Sequence, residues 1–203
     1  MNASIQWPRT VSVNDAPITI RLMDANDAEA VLAFARALPP HDLLFLQRDI
    51  RNPRVVAAWI EQIERGLIRS LLAIGPEGVI GCAAIVRDEL SWSPHVAEIR
   101  ILIAPDARGG GLGRALAQDS LAFTQSLGVE KVIVRMTPDQ QGAIAVFEDM
   151  GFRGEALLRD HVRDVNRALS SSLSAGRAAV AQIVGRDTRG LDVSGVAKAA
   201  LES

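Results

Sequence analysis

The sequence predicts a single domain of the α/β (α+β) class, and three observations lead to this fold class. Strand-like and helical hydrophobic patterns alternate along the chain. A strand-like run at 96–104 leads through a glycine-rich turn into a helical pattern at 111–127. The chain has 203 residues, of which 48% are hydrophobic. One core of this size removes roughly 70% of the unfolded surface from water, so no second domain is required.

Two short strands and three helices are predicted in the N-terminal third. The strands flank the turn residues Asn14-Asp15, and Pro39-Pro40 ends the first helix. The last helix presents one apolar face, which a helical spacing of hydrophobic residues predicts. The expected bounds are 10–13 and 18–22 for the strands, and about 26–37, 43–50 and 55–65 for the helices; the apolar face consists of Val56, Trp59, Ile60 and Ile63.

A β-hairpin is predicted next, with strands at 70–74 and 79–86 joined across Gly75-Pro76-Glu77-Gly78. The only cysteine, Cys82, lies in the second strand, where packing in the core is its expected role. A nucleophilic cysteine would require a neighbouring base or a positive local field.

The glycine-rich turn Arg108–Arg114 is predicted to bind an anion. The first N–H groups of a helix have no partner within the helix, and the helix dipole adds partial positive charge at the same end. Glycines allow the backbone to approach a phosphate closely. The alternative is a plain connector between strand and helix, because glycine turns are common.

Two familiar phosphate-binding motifs do not fit this turn. A P-loop requires Gly-Lys-Ser/Thr at the helix start, whereas this chain has Gly113-Arg114-Ala115 and no hydroxyl for magnesium. A dinucleotide-binding fingerprint read from Gly111 requires a glycine where Leu116 stands. NTPase activity is therefore not expected, and dinucleotide binding is disfavoured.

The turn resembles the acetyl-CoA signature of the GNAT superfamily of N-acetyltransferases, Gln/Arg-x-x-Gly-x-Gly/Ala, through Arg108, Gly111 and Gly113. GNAT domains precede this signature with a hydrophobic strand and follow it with a helix, a strand and a second helix that ends in Gly-Phe. The same order is predicted here, with segments at 96–104, 111–127, 131–136 and 138–150 before Gly151-Phe152. The resemblance covers about residues 18–165 and implies a central mixed, mostly antiparallel sheet flanked by helices.

The end of the chain carries weaker patterns. Residues 155–165 alternate as a strand does, and a last strand is expected at either 168–173 or 178–184. Residues 185–203 read as a tail, with a short helix at 196–201 as the alternative. The predicted organisation is an N-terminal arm with a possible first strand (1–17), a GNAT domain (18–170) and a C-terminal segment (171–203).

The resemblance implies acetyl-CoA as co-substrate and a set of residues that hold it. Backbone groups of the strand before the turn would pair with the pantetheine amides as an additional strand does. The turn would hold the pyrophosphate, and the helix before Gly-Phe offers an amide side chain where the family uses asparagine. The implied cofactor-binding residues are Ile101, Leu102, Ile103, Arg108, Gly109, Gly110, Gly111, Leu112, Gly113, Arg114, Gln140 and Phe147.

Glu98 and His161 are the candidates for a catalytic base that removes a proton from the amine. Some GNAT enzymes carry a catalytic glutamate on the strand that holds Glu98. Arg100 lies two residues further on and shares the same face, so a structural ion pair is the alternative role of Glu98. His161 is of a type that titrates near neutral pH. A relay through water to backbone carbonyls would leave no trace in the sequence.

The general acid of the family is missing from this chain. Many GNAT enzymes protonate the coenzyme A thiolate with a tyrosine in the pattern Asn-x-x-Ala-x-x-x-Tyr-x-x-x-Gly-Phe. Here the pattern reads Gln140, Ala143, Phe147 and Gly151-Phe152, and the chain contains no tyrosine. Either solvent or another donor protonates the leaving thiolate, or the chain is a weak catalyst. Packing on one helix face also explains Phe147.

Composition restricts the partners. A formal net charge of −2 gives no general attraction to nucleic acid or to an anionic membrane. No apolar run has membrane-spanning length and no signal-peptide pattern is present, so the cytoplasm is the expected location. His41, His95 and His161 show no metal-ligand spacing among themselves or with Cys82, and no metal is predicted.

The sequence therefore predicts an N-acetyltransferase, a monomer or homodimer, that transfers an acyl group, expected to be acetyl, directly from coenzyme A to a primary amine of a small molecule or a protein. The alternative is a regulatory module that binds acyl-CoA without turnover, for which the absent tyrosine is the main argument. The acceptor is not defined by the sequence. Four acids would attract a cationic amine, although scattered acids usually lie on a solvated surface: Asp42, Asp88, Glu89 and Glu98.

Overall fold

The computed structural model of the protein describes residues 6–46 and 48–158. Six β-strands and four α-helices lie in this part of the chain. In chain order they are β1 (Arg9–Val13), β2 (Ala16–Leu22), α1 (Ala28–Ala37), α2 (Pro53–Glu64), β3 (Ile68–Gly75), β4 (Gly78–Arg87), β5 (Val96–Ile103), α3 (Leu112–Ser126), β6 (Lys131–Val134) and α4 (Gln141–Asp149).

The strands form one sheet in the order β1-β2-β3-β4-β5-β6. The first five strands pair with their neighbours in antiparallel fashion, whereas β5 and β6 are parallel. Parallel neighbours require a crossover connection, which α3 provides. The predicted mixed, mostly antiparallel sheet is confirmed.

Tight turns fix the register of the two N-terminal hairpins. Asn14 and Asp15 join β1 to β2 with positive φ angles of 49° and 63°, as a two-residue hairpin turn of type I′ requires. Gly75 and Gly78 pair across the β3–β4 turn, and Gly78 has a φ of 124°. Both hairpins were predicted, because these residue types tolerate positive φ.

The two faces of the sheet bury separate cores. On one face, Leu72 and Leu102 pack in a cluster with residues of α1 and α2. On the other face, Leu71 packs with α3, and Ile99 packs against Phe123 of that helix. The predicted apolar face of α2 is confirmed, since its four residues are buried in the first cluster or packed against it.

An ion pair between Arg9 and Asp119 of α3 attaches the N-terminal segment to that helix. Asp119, which is 1% exposed, accepts hydrogen bonds from Arg9 Nε at 2.8 Å and from Trp7 Nε1 at 3.3 Å, and Arg9 Nη2 completes a bidentate pair. Trp7 also meets Phe123 edge to face at 5.3 Å. These contacts fix β1 against the helix that begins at the glycine turn.

Asp119→Asn is expected to lower the free energy of unfolding by about 1–3 kcal/mol, because it weakens charge-assisted hydrogen bonds to a buried group. Chemical denaturation measures the change. Glu61→Gln is the matched control, since it removes only the exposed i,i+4 partner of Arg65, an interaction worth about 0.3–0.5 kcal/mol. An equal decrease in the free energy of unfolding of the two variants would contradict a stabilising role for the buried pair.

The structure corrects the helix predicted at about 43–50. Residues Pro40–Leu43 form a single 3₁₀ turn, and the described residues between it and α2 are in neither helix nor strand. Two successive prolines begin the segment, and the side chains of His41 and Asp42 then bind other parts of the molecule. These ion pairs hold a turn where the hydrophobic spacing alone indicated a helix.

The last predicted elements fall mostly outside the described residues. Of the strand expected at 155–165, residues 155–158 are in neither helix nor strand, and the remainder is not described. The alternative last strands at 168–173 and 178–184, the tail and the helix at 196–201 lie outside the described residues, as does the domain boundary at 170. By its internal contacts the chain divides into residues 1–152 and 153–203. In the described residues, no helix is both long enough and apolar enough to span a membrane.

Candidate active site

A cavity of about 540 Å³ opens where β5 and β6 separate. The last residues that pair across these strands are Ile99 and Val134. β5 continues to Ile103, while the chain after Val134 leaves the sheet and enters α4. The space between them is closed by the glycine turn, by α4 and by Asp42 and Phe45 from the segment after α1.

The edge of β5 beyond Ile99 lines this cavity. Ala104 N donates to Ile80 O at 2.9 Å, which shows that the even-numbered residues of β5 direct their backbone groups toward β4. Because these directions alternate along an antiparallel pair, the N–H and C=O groups of Ile101 and Ile103 point to the side where β6 has ended. Ile101, Leu102 and Ile103, all predicted to bind cofactor, line the cavity.

The glycine turn forms one end of the cavity. Gly109 and Gly111 have φ angles of 81° and 87°, and a Cβ built on either meets no atom within 4 Å. Gly111 is the N-cap of α3, whose first intrahelical bond runs from Ala115 N to Gly111 O at 3.0 Å. The N–H groups just before Ala115 therefore have no intrahelical acceptor. Open space, unused donors and the helix dipole together suit a phosphate ligand.

Gly110 and Leu112 of the turn face the protein. A Cβ on Gly110 would lie 2.6 Å from Asn14 Oδ1 and 2.7 Å from Val13 Cγ1, so the β1–β2 turn fills the space beside it. Leu112 is 1% exposed and belongs to the core under α3. Of the predicted cofactor-binding residues, these two do not line the cavity, whereas Gly113 does and would place a Cβ 3.1 Å from Ile103 Cδ1.

Two arginines of the turn line the cavity and form ion pairs. Arg108 pairs with Asp42 and donates from Nη2 to Ile103 O at 3.0 Å. Arg114 pairs with Asp149 of α4. Both guanidinium groups are between two-fifths and one-half exposed, so an anionic ligand can reach them.

α4 forms one wall of the cavity, and this wall contains both cofactor-binding residues predicted near that helix, Gln140 and Phe147. Gln140 lines the cavity, and its Oε1 accepts a hydrogen bond from Thr137 N at 3.1 Å, which fixes the turn before the helix. Phe147 also lines the cavity, is 7% exposed and meets Phe152 edge to face at 5.1 Å. Phe147 lies outside the three core clusters. It is therefore a wall of the cavity rather than part of the central core.

In the segment after α1, Asp42 was predicted only as one of four acids that would attract a cationic amine, and no role in the site was predicted for His41 or Phe45. His41 Nε2 lies 2.8 Å from Asp139 Oδ2, and the adjacent Asp42 pairs with Arg108. Thr137 and His41 hold the pKa of the Asp139 carboxyl below its usual value, so this cavity-lining acid is charged at neutral pH. The only signal in the sequence was a pair of polar residues directly after two prolines.

Glu98 is buried behind the cavity and does not line it. Its Oε2 accepts a hydrogen bond from Arg100 Nη2 at 2.7 Å, as the alternative structural role requires. Its Oε1 accepts no hydrogen bond and lies 3.7 Å from Nε of Arg135, a cavity residue that the sequence analysis did not single out. The second candidate base, His161, lies outside the described residues.

Cys82 does not line the cavity. Burial raises the pKa of the Cys82 thiol to about 12, which agrees with its predicted role in the core. No group of three or more His, Cys, Asp or Glu side chains that would suit a metal ion occurs in the described part of the chain.

A strand edge, a glycine turn and a helix start around one cavity have the features that suit an extended, phosphorylated ligand. The family model described as "Acetyltransferase (GNAT) family" matches residues 40–152, which is more than half of the chain. The chain belongs to this family, so the predicted membership of the GNAT superfamily is confirmed. A second model, described as "CobD/Cbib protein", matches residues 120–203, less than half of the chain.

Curated relatives include mycothiol acetyltransferases. That of Rhodococcus jostii (strain RHA1) is 25% identical over 154 residues, which are 74% of this chain and 50% of the relative. That of Salinispora arenicola (strain CNS-205) is 34% identical over 85 residues, which are 40% of this chain and 28% of the relative. The chain thus spans half or less of the length of these relatives.

Solved structures share the fold. The GNAT domain of S. lividans PAT has a TM-score of 0.64 at 19% identity and covers 77% of this chain and 93% of that domain. Spermidine N-acetyltransferase from Vibrio cholerae, in complex with CoA and spermine, has a TM-score of 0.60 at 18% identity and covers 72% of this chain and 86% of that protein. At these identities the likeness concerns the fold alone.

Proposed function

We propose that this protein transfers the acetyl group of acetyl-CoA directly to a primary amine of a small molecule or a protein. The observation that carries the proposal is the cavity of a GNAT family member in which an open strand edge runs into a glycine turn and a helix start. The relatives and neighbours are named for acetylation linked to mycothiol and to spermidine. These names support an amine acceptor for this chain.

The residues present fit coenzyme A. Gly109 and Gly111 leave space into which a pyrophosphate fits, and side chains at these positions would fill it. Arg108 and Arg114 supply positive charge at the same end of the cavity. The N–H groups of Ile101 and Ile103 and the carbonyl of Ile101 offer donors and an acceptor to amide groups, as one strand does to the next. Gln140 contributes an amide from the opposite wall.

When bound, acetyl-CoA supplies the thioester that the amine attacks. The protein holds the two reactants together and receives the proton of the ammonium group. Glu98 is the candidate proton acceptor among the described residues, because its Oε1 is buried beside the cavity and accepts no hydrogen bond. A water molecule would carry the proton to it, since Glu98 does not itself line the cavity.

The absence of tyrosine favours a second candidate function. Phe147 stands where the family places its acid and offers no proton to a leaving thiolate. A chain that binds acyl-CoA without turnover would act as a regulatory module. Measurements of binding and of turnover on the same protein separate the two functions.

Coenzyme A and acetyl-CoA are expected to raise the melting temperature, because a ligand that binds only the folded state stabilises it by about 2.7 kcal/mol at a hundredfold excess over its Kd. Thermal unfolding with increasing ligand measures this effect, and release of free thiol with a panel of amines measures turnover. No thermal shift at millimolar ligand, with titration calorimetry also silent, would overturn the cofactor assignment. Binding without thiol release would favour the regulatory module.

A further inference from the structure

Three arginines line the cavity, and two of them have acidic partners of their own. Arg108 pairs with Asp42, and Arg114 pairs with Asp149. Both belong to the glycine turn, where the proposed function places the phosphates of the cofactor. The third, Arg135, follows β6 directly and lies elsewhere in the cavity.

The position of Arg135 along the sheet separates it from the glycine turn. Val134, its neighbour in the chain, pairs with Ile99 on β5. A strand rises about 3.3 Å per residue, so Ile99 lies roughly 13 Å from Ile103, the last residue of β5 before the turn. Arg135 is therefore at the end of the cavity that the phosphates leave free.

Arg135 shares its acid with another arginine. Glu98 accepts a hydrogen bond from Arg100 Nη2 through Oε2 at 2.7 Å, and its Oε1 lies 3.7 Å from Arg135 Nε. Among the residues that the structure describes, Arg135 makes no hydrogen bond. The cluster carries two positive charges and one negative charge, and its carboxylate is 9% exposed. One positive charge beside the cavity is left unbalanced.

A guanidinium group binds a carboxylate through two parallel hydrogen bonds, which neither an ammonium nor an uncharged side chain reproduces. Glu98 Oε1, close to Arg135, is an acceptor that has no hydrogen bond of its own. A free α-amino acid carries a carboxylate and an ammonium group on one carbon. Its carboxylate matches the unbalanced positive charge of Arg135 at this end of the cavity, and Glu98 lies behind that arginine.

We propose that the acceptor amine carries a carboxylate next to its amino group, as a free α-amino acid does, and that Arg135 binds this carboxylate. This inference rests on the proposed function and names the class of substrate. It makes Arg135 a residue that determines specificity, and it disfavours polyamines, whose positive charges Arg135 repels.

The test compares three forms of each acceptor: an α-amino acid, its amide and the corresponding decarboxylated amine. Phenylalanine, phenylalaninamide and phenethylamine form one such set. The ammonium group of the amide is more acidic than that of the amino acid, and the ammonium group of the simple amine is less acidic. A preference for the amino acid over both compounds therefore does not arise from amine basicity. Thiol release gives kcat/KM for each, and calorimetry with coenzyme A present gives the affinity. We expect the amino acid to be favoured by about 10- to 150-fold, the range of a charge-assisted hydrogen bond.

Arg135→Gln is expected to remove this preference while coenzyme A still raises the melting temperature, and Arg135→Lys is expected to restore it in part. Arg65→Gln, which neutralises the exposed C-cap arginine of α2 outside the cavity, is the matched control and should keep the preference. Turnover of all three forms at similar kcat/KM, or a preference that survives in Arg135→Gln, would overturn this inference and leave the proposed function intact. If none of the amines tested supports thiol release, the proposed function on which the inference rests is overturned.

Discussion

Replacing Gly111 by valine is expected to abolish coenzyme A binding and leave a folded protein. Gly111 has a φ of 87°, lines the cavity and caps α3, and a Cβ at this position points into space that the protein does not use. A valine side chain would fill the place of the pyrophosphate and turn the N–H groups of the helix start away from it. Calorimetry with coenzyme A measures the loss.

The glycine at the other end of α3 provides a matched control for backbone strain. Gly128 has a φ of 70°, its Cβ position is equally open, and it does not line the cavity. Valine at either glycine should cost about 1–3 kcal/mol of stability through strain. Only Gly111→Val should lose the ability to bind coenzyme A. If both variants bind coenzyme A as the wild type does, the glycine turn is only a connector.

Phe147→Tyr is expected to raise the turnover number at neutral pH by about a hundredfold or more, the usual contribution of a general acid. Phe147 lines the cavity, and it lies at the position of the family's tyrosine. A hydroxyl on this ring would offer the proton that a leaving thiolate needs. Thiol release measured against a saturating acceptor gives the turnover number, and thermal unfolding reports whether the hydroxyl is tolerated.

The neighbouring ring serves as the control for this substitution. Phe152 packs against Phe147 at 5.1 Å but does not line the cavity, so Phe152→Tyr adds the same hydroxyl outside the site. It should not increase the rate. A Phe147→Tyr protein that unfolds at a lower temperature and is no faster would show that the ring faces apolar surroundings, because an unpartnered buried hydroxyl is destabilising. The idea of a vacant acid position would then be wrong.

Local signals predicted most of the fold. The hairpin turns at Asn14-Asp15 and Gly75–Gly78, the hydrophobic run of β5 and the glycines before α3 each act within a few residues, and the structure contains the corresponding elements. β6 ends at Val134, two residues before the predicted end, and α4 begins at Gln141. Such bounds depend on where the chain leaves the sheet, which local patterns do not define.

Long-range contacts account for the parts of the site that the sequence did not predict. Asp42 was considered only as an acid that would attract the amine, and its pairing with Arg108, 66 positions later, was not predicted. Arg135 belongs to the cavity only because β6 is parallel to β5 and stops beside Ile99. The ion pair of Glu98 with Arg100, predicted as the alternative to a catalytic role, is present, since residues two apart on a strand share a face. No local pattern places Arg135 beside the same carboxylate.

The contact between Gly110 and the β1–β2 turn changes what a defect at the glycine turn means. Three consecutive glycines look equivalent in the sequence, yet the middle one abuts Val13 and Asn14, nearly a hundred positions earlier. A larger residue at 110 would push the N-terminal hairpin away from the helix it supports. Loss of activity there would report faulty assembly of the domain, whereas loss at 109 or 111 would report faulty recognition of the ligand. The first strands are thus part of the scaffold that shapes the cofactor end of the cavity.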